Sequence, residues 1–162
     1  MDALGAGSFW TLPMFLAFCA GAAATGVLFR PGAWYESLAK PAWTPPNWLF
    51  GPAWTVLYIA MAVAGWLVWS AQGGAAATAV WFGQLALNAA WSWLFFGLRR
   101  MDLAFGDVLL LWLTIVAFIV LAWPVSELAA ALFVPYVLWV TYAAALNLAV
   151  WRANPGPQQA AR

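Results

Sequence analysis

The sequence predicts an all-α integral membrane protein: one domain, folded as a bundle of five transmembrane helices. Three observations predict it. Hydrophobic residues make up 67% of the chain and charged residues 7%, where a soluble domain carries about 25% charge. Five apolar runs each reach about the 20 residues that a helix needs to cross roughly 30 Å of hydrocarbon. Five spans also put every basic residue on one side of the membrane, whereas four or six would mix them. The same composition excludes other classes. The net charge of +1 implies no nucleic-acid partner. There is no His and a single Cys, Cys19 in an apolar run, which removes disulfide frameworks and zinc sites.

The first run, about 9–29, stops at Arg30-Pro31-Gly32. Residues 1–8 lack a basic segment, and the run is longer than a typical signal-peptide core, so it is read as a retained helix. The stretch 30–50 is different in kind. From Trp34 to Tyr58 the chain holds four Trp and four Pro. Lys40-Pro41, Pro45-Pro46 and Gly51-Pro52 prevent one long helix, because Pro lacks the N–H and clashes with the preceding turn. A folded loop is expected, with a short helix around Glu36 and a new helix starting near Pro52 in its first turn. Trp34, Tyr35, Trp43 and Trp48 either anchor the loop at the membrane interface or form a lid over a ligand.

The second run, about 51–70, ends at Gln72-Gly73-Gly74. The third, about 75–98, ends at Arg99-Arg100. The fourth, about 103–123, ends at Pro124. The fifth, about 127–151, opens on the capping pair Ser126 and Glu127 and ends at Arg152-Ala153-Asn154-Pro155-Gly156. Residues 157–162 read as a disordered tail. Arg30, Lys40, Arg99, Arg100, Arg152 and Arg162 then share one side. The positive-inside rule makes that side cytoplasmic, with the N-terminus outside and the loop and C-terminus inside.

Small residues mark close helix approach, since lipid offers no hydrophobic drive between helices. Ala17, Gly21 and Thr25 form one such row, beside Ala22 and Gly26. Ala75, Ala79, Gly83, Ala86 and Ala90 form another, which suits packing inside the bundle or a homodimer interface. Polar residues within the spans are few. Asp107 lies about one turn inside the fourth span, where a carboxylate faces the helix N-terminus within reach of Arg99 or Arg100. Gln84, Asn88 and Trp91 share a face of the third span. Tyr136, Trp139, Ala143 and either Leu146 or Asn147 share one of the fifth. Aromatics beside small residues line a cavity for a flat apolar ligand, or pack as ordinary core. No nucleophile–base pair, phosphate-cradling loop or metal-ligand spacing is present. Nor is there a relay of membrane carboxylates, and five spans cannot form two equal inverted halves.

The pattern Trp34-Tyr35-x-x-Leu38-x-Lys40-Pro41-x-Trp43-x-Pro45-Pro46-x-Trp48, followed by Pro52-x-Trp54-x-x-Leu57-Tyr58, resembles the first loop and second helix of the TspO/MBR family. This is the tryptophan-rich sensory protein, translocator protein or peripheral benzodiazepine receptor family, here of bacterial type. Gln84-Leu85-x-Leu87-Asn88-x-x-Trp91 with Phe95-Phe96-Gly97 resembles its third helix, Asp107 its fourth-helix aspartate, and Pro135-Tyr136-x-x-Trp139 with Ala143-x-x-Leu146-Asn147 and Trp151-Arg152 its fifth. The similarity covers about residues 12–154.

The resemblance implies a five-helix bundle that often dimerises. It implies a membrane receptor, sensor or carrier that binds porphyrins (protoporphyrin IX and related tetrapyrroles), cholesterol and benzodiazepine-like ligands under the first loop. No cofactor is required; porphyrin enters as a ligand, and the other partners are sterols and membrane lipid. By position the pocket comprises Ala24, Trp34, Tyr35, Leu49, Trp54, Tyr58, Asn88, Trp91, Leu103, Asp107, Trp139, Ala143 and Leu146. Asn88 and the Trp N–H groups would meet propionates. Without His, the usual axial haem ligand is missing, which favours a metal-free porphyrin. The family also suggests an alternative, an enzyme that degrades porphyrin with light and oxygen through Trp54 and Trp139. One departure is Leu148, which stands where the family's proposed sterol motif has Tyr; such motifs are weak patterns in any case.

Overall fold

The computed structural model describes residues 9–71 and 74–156. The expected disordered tail and the residues ahead of the first span lie outside that range. The described chain is helical throughout its spans. A 3₁₀ turn, Phe9–Thr11, leads into α1, Leu12–Leu28. The loop carries α2, Ala33–Ser37, the short helix expected around Glu36. Next come α3, Asn47–Ser70, and α4, Ala75–Ser92. α5 is Met101–Ala122, α6 is Glu127–Leu132 and α7 is Val134–Ala153.

Three boundaries differ from the sequence expectation. Pro52 does not sit in a first turn: α3 starts earlier, capped at Pro46, and runs through Pro52. A Pro early in a helix loses a single backbone bond, and the Thr55 hydroxyl donates to the nearby Gly51 carbonyl at 2.9 Å. The third span ends in a π-helical turn, Trp93–Gly97, where Leu98 N–H donates to Trp93 O at 2.8 Å and Arg100 N–H to Leu94 O at 3.0 Å. That close places Arg99 at a left-handed φ of 55°, a position usually given to Gly. The fifth span is broken at Phe133 into α6 and α7, because Pro135 removes an N–H from the ladder and crowds the turn before it. Ser126 caps α6 as expected, its Oγ accepting from Ala129 N–H at 3.2 Å.

Asn47–Ser70, Met101–Ala122 and the joined Glu127–Ala153 are long and apolar enough to cross a membrane, with mean hydropathies of 1.5, 2.5 and 1.8. α1 is shorter at 17 residues. α4 with its π turn spans about 33 Å at 1.5 Å per residue, and it is less apolar because it carries Thr78, Gln84 and Asn88. Exposed tryptophans ring both ends. Trp10, Trp69 and Trp123 stand at the end away from the loop, and Trp43, Trp48 and Trp93 at the loop end, as interfacial belts do. Of the four loop aromatics, Trp43 and Trp48 are thus exposed, while Trp34 is half-buried and Tyr35 buried. Arg30, Lys40, Arg99, Arg100 and Arg152 share the loop end by connectivity.

Packing runs α3 to α1, α1 to α4, α4 to α5 and α5 to α7, and α6 closes back on α3. Phe15, Met61, Trp81, Phe118 and Tyr136 are fully buried along this ring. Trp81 of α4 and Phe15 of α1 press against Gly65 of α3. The Trp81 indole donates to Met61 O at 2.8 Å, and a Cβ on Gly65 would lie 2.5 Å from Trp81 Cε2 and 2.8 Å from Phe15 Cδ1. Both rings are pinned, so Gly65→Ala is expected to cost about 1–3 kcal/mol, read as a lower unfolding temperature in detergent. The row Ala75, Ala79, Gly83 and Ala86 is exposed, with Ala90 half-buried. It lies on the outer face of α4 and does not form the packing inside the bundle. In α1, Ala17, Gly21 and Gly26 are likewise exposed and Ala22 is buried.

Candidate functional site

The site forms where α3, α4 and α7 turn aromatic and polar side chains toward one another. Tyr58 on α3 donates from its hydroxyl to Asn88 Oδ1 on α4 at 2.6 Å. Asn88 Nδ2 donates to the Tyr136 hydroxyl on α7 at 2.9 Å. Tyr136 in turn donates to Gln84 Oε1 at 3.1 Å. This chain ties three helices together through buried groups, which is how an amide becomes tolerable in hydrocarbon. Gln84 Nε2, at its end, has no hydrogen-bond partner.

Above this polar row stands an aromatic box. The Trp54 ring lies 5.4 Å from Tyr58, 6.2 Å from Tyr136 and 6.5 Å from Trp139, the last pair at 85°. Phe50 meets Trp139 edge-on at 5.9 Å. Edge-to-face contacts at these distances are favourable. They leave Trp54, Tyr58 and Trp139 half-buried, packed against the core rather than sealed within it.

A second cluster lies nearer the loop. Trp91 stacks on Phe95 at 4.9 Å and donates to Asn147 Oδ1 at 3.1 Å, and Asn147 Nδ2 donates to the Met101 carbonyl at 3.0 Å. Tyr35 packs edge-on against Phe95 and Phe96, and Trp34 against Phe95. Leu146 is buried in the same cluster. Lys40 Nζ stands 4.7 Å over the Tyr35 ring and the Arg99 guanidinium 5.7 Å over Trp34. Burial, and secondarily the nearby Tyr142, pushes the Tyr35 phenol above its ordinary range.

The structure therefore brings together Trp54, Tyr58, Asn88 and Trp139 in the box, and Trp34, Tyr35, Trp91 and Leu146 in the cluster nearer the loop. Leu49 and Ala143 are half-buried on α3 and α7. Two expected pocket residues stand apart. Ala24 is exposed on α1, because that helix turns Phe15, Cys19 and Ala22 inward. Leu103 is 45% exposed in the first turn of α5, beside the inward row Ala104, Val108 and Leu111. Asp107 is buried, yet not in reach of Arg99 or Arg100. Arg100 instead forks onto Asp102, with Nε to Oδ1 at 2.8 Å and Nη2 to Oδ2 at 2.6 Å, and Asp107 Oδ2 has no hydrogen-bond partner. Of the donors expected to meet propionates, Asn88 and Trp91 are engaged inside the protein, with Tyr136 and Asn147.

Sequence reasoning set Tyr136, Gln84 and Asn147 on the faces that could line a cavity but left them out of the pocket set. The signal was present: Gln84 is one turn before Asn88, and Tyr136 three residues before Trp139. It also passed over Phe50, which lies one turn before Trp54 in α3 and meets Trp139 edge-on.

Comparison with known proteins follows the same lines. The model of the TspO/MBR family matches residues 9–152. The chain is 47% identical over 147 residues to protein CrtK of Rhodobacter capsulatus, covering 88% of this chain and 92% of that one. It is 41% identical over 146 residues to the tryptophan-rich sensory protein of Cereibacter sphaeroides, covering 90% and 92%. It is 45% identical over 128 residues to the translocator protein of Homo sapiens, covering 76% of each.

Proposed function

The chain belongs to the TspO/MBR family, and on that premise we propose that it is a membrane receptor or sensor, or a carrier, whose aromatic box takes up porphyrins, protoporphyrin IX first among them. The observation that carries this reading is the gathering of the half-buried Trp54, Tyr58 and Trp139 rings beside the polar row of Asn88. A flat macrocycle gains about 0.5–1.5 kcal/mol per aromatic pair beyond the area it buries. A metal-free ring is favoured, since no His is available for axial ligation. Sterols and benzodiazepine-like molecules are further candidates for the same apolar faces. The cytoplasmic side is assigned to the loop end, where the basic residues gather.

The protein is further read as a homodimer through the outer α4 row. A Cβ on Gly83 has no neighbour within 4 Å, so Gly83→Leu leaves the protomer intact and is expected to abolish the dimer in mild detergent or bilayer. A mutant that stays dimeric places the interface elsewhere.

The perpendicular Trp54–Trp139 pair favours one second reading, light- and oxygen-dependent porphyrin degradation. A single titration separates the two. Protoporphyrin IX is added to the purified protein, first in the dark and then under illumination, and Trp fluorescence and porphyrin absorbance are followed. Saturable quenching without new absorbing products supports the receptor. Bleaching lost in Trp54→Phe and in Trp139→Phe supports the enzyme. No saturable quenching removes the tetrapyrrole role.

A further inference from the structure

Backbone packing joins α3 to α1, α4 and α6, whereas side chains bridge α3 to α7. The first loop runs along the same seam. Its residues meet α7 in reverse order: Ala39 at Asn154, Trp43 at Tyr142 and, at the start of α3, Phe50 at Trp139. From Asn154 to Tyr142 is about 18 Å of helix. The segment 39–50 is therefore a strap laid antiparallel to α7, and its upper end reaches the box at Trp139.

Two points fasten it. The Ala39 N–H donates to Asn154 Oδ1 at 2.9 Å, and the Ala39 carbonyl accepts from Asn154 Nδ2 at 2.9 Å. One side-chain amide thus clasps one backbone residue from both sides. Asn154 is itself aimed by a bond from Nδ2 to Val150 O at 2.7 Å. Higher up, the Tyr142 hydroxyl donates to Trp43 O at 2.7 Å, and the two rings meet edge-on at 5.6 Å. Both fastenings are exposed, unlike the bonds that Asn88 and Gln84 make to Tyr136. Between and above them, Pro41, Pro45 and Pro46 stiffen the strap and strip it of donors, which suits it to swing as one piece.

We propose that Asn154 and Tyr142 are the latch of a lateral door: the seam between α3 and α7 is the route by which a flat apolar ligand reaches the box, and the strap 39–50 opens and closes it. Both are positioning residues that act through the strap. The ligand rests on the tetrapyrrole reading; the latch does not.

The test uses the full chain in lipid nanodiscs. In ligand-free Asn154→Ala, hydrogen exchange of the amides in 39–43 is expected to rise about tenfold, for two lost bonds. In Tyr142→Phe, which keeps the ring on Trp43, it is expected to rise about fivefold, for one. With protoporphyrin IX, association and dissociation rates should both rise by these factors, with Kd held within about twofold. A merely loosened fold would instead lower the association rate or the bound amplitude. Unchanged exchange in Asn154→Ala overturns the latch. Faster exchange with unchanged dissociation overturns the door. Absence of quenching in the unmutated protein overturns the tetrapyrrole reading and the door with it, while exchange still decides the latch.

Discussion

Trp139→Ala is expected to weaken protoporphyrin IX binding at least tenfold, roughly 1.4 kcal/mol or more, with helix content unchanged. Trp139 is the hub of the box. Its ring contacts Trp54 from α3, Phe50 from the mouth of the strap and Tyr142 from its own helix. Alanine removes one stacking face and also the edge that holds Trp54 and Phe50 in place, so the loss exceeds that of a single aromatic pair. The ring is half-buried, so its removal opens space at the seam and leaves the fully buried core untouched. The porphyrin absorbance shift measures affinity without relying on the lost indole, and circular dichroism checks the fold. Unchanged affinity would take Trp139 out of the pocket.

Asn88→Leu is expected to destabilise the bundle by about 2 kcal/mol. It severs two interhelical bonds, worth about 0.6–1.7 kcal/mol each in a membrane, and deprives the fully buried Tyr136 hydroxyl of its donor. The effect is coupled to Tyr136. With Tyr136→Phe in place, part of the same network is already gone, so the double mutant should lose less than the two single mutants summed. Unfolding temperatures in detergent, measured for all four members of the cycle, give the coupling. Additive losses would mean that the two side chains do not act as one chain.

What the sequence made legible was whatever repeats with helical period or with charge. The five spans followed from apolar length, and their shared basic end from Arg and Lys placement. Gln84, Asn88 and Trp91 could be set on one face by spacing alone. Breaks inside spans were harder. Pro52 and Pro135 carry the same chemistry, yet one is absorbed early in α3 and the other splits the fifth span. The outcome depends on what neighbouring helices do with the freed carbonyl, which a single sequence does not carry. The row Ala75, Ala79, Gly83 and Ala86 showed close approach in principle but not its direction. Contacts between distant segments were not legible at all. Nothing in the spacing of Ala39 and Asn154, or of Trp43 and Tyr142, links them. The exposure of Ala24 and Leu103 was hidden for a related reason: a position shared with a family fixes the helix, and local rotation fixes the face.

The direction of the buried hydrogen bonds has a consequence for how a guest must lie. A tyrosine hydroxyl has one proton, and Tyr58 aims its proton at Asn88. What it turns to the box is lone pairs. The floor is therefore electron-rich, welcoming to a neutral N–H or O–H and unwelcoming to an anion. At the other end Lys40 and Arg99 sit over Tyr35 and Trp34, giving a positive rim. A ring that carries carboxylates on one edge has a single compatible pose, acid edge toward the rim and bare edge toward the floor. On the proposed reading the bundle would act as a polariser as well as a container, sorting molecules of equal size and flatness by where their charge sits.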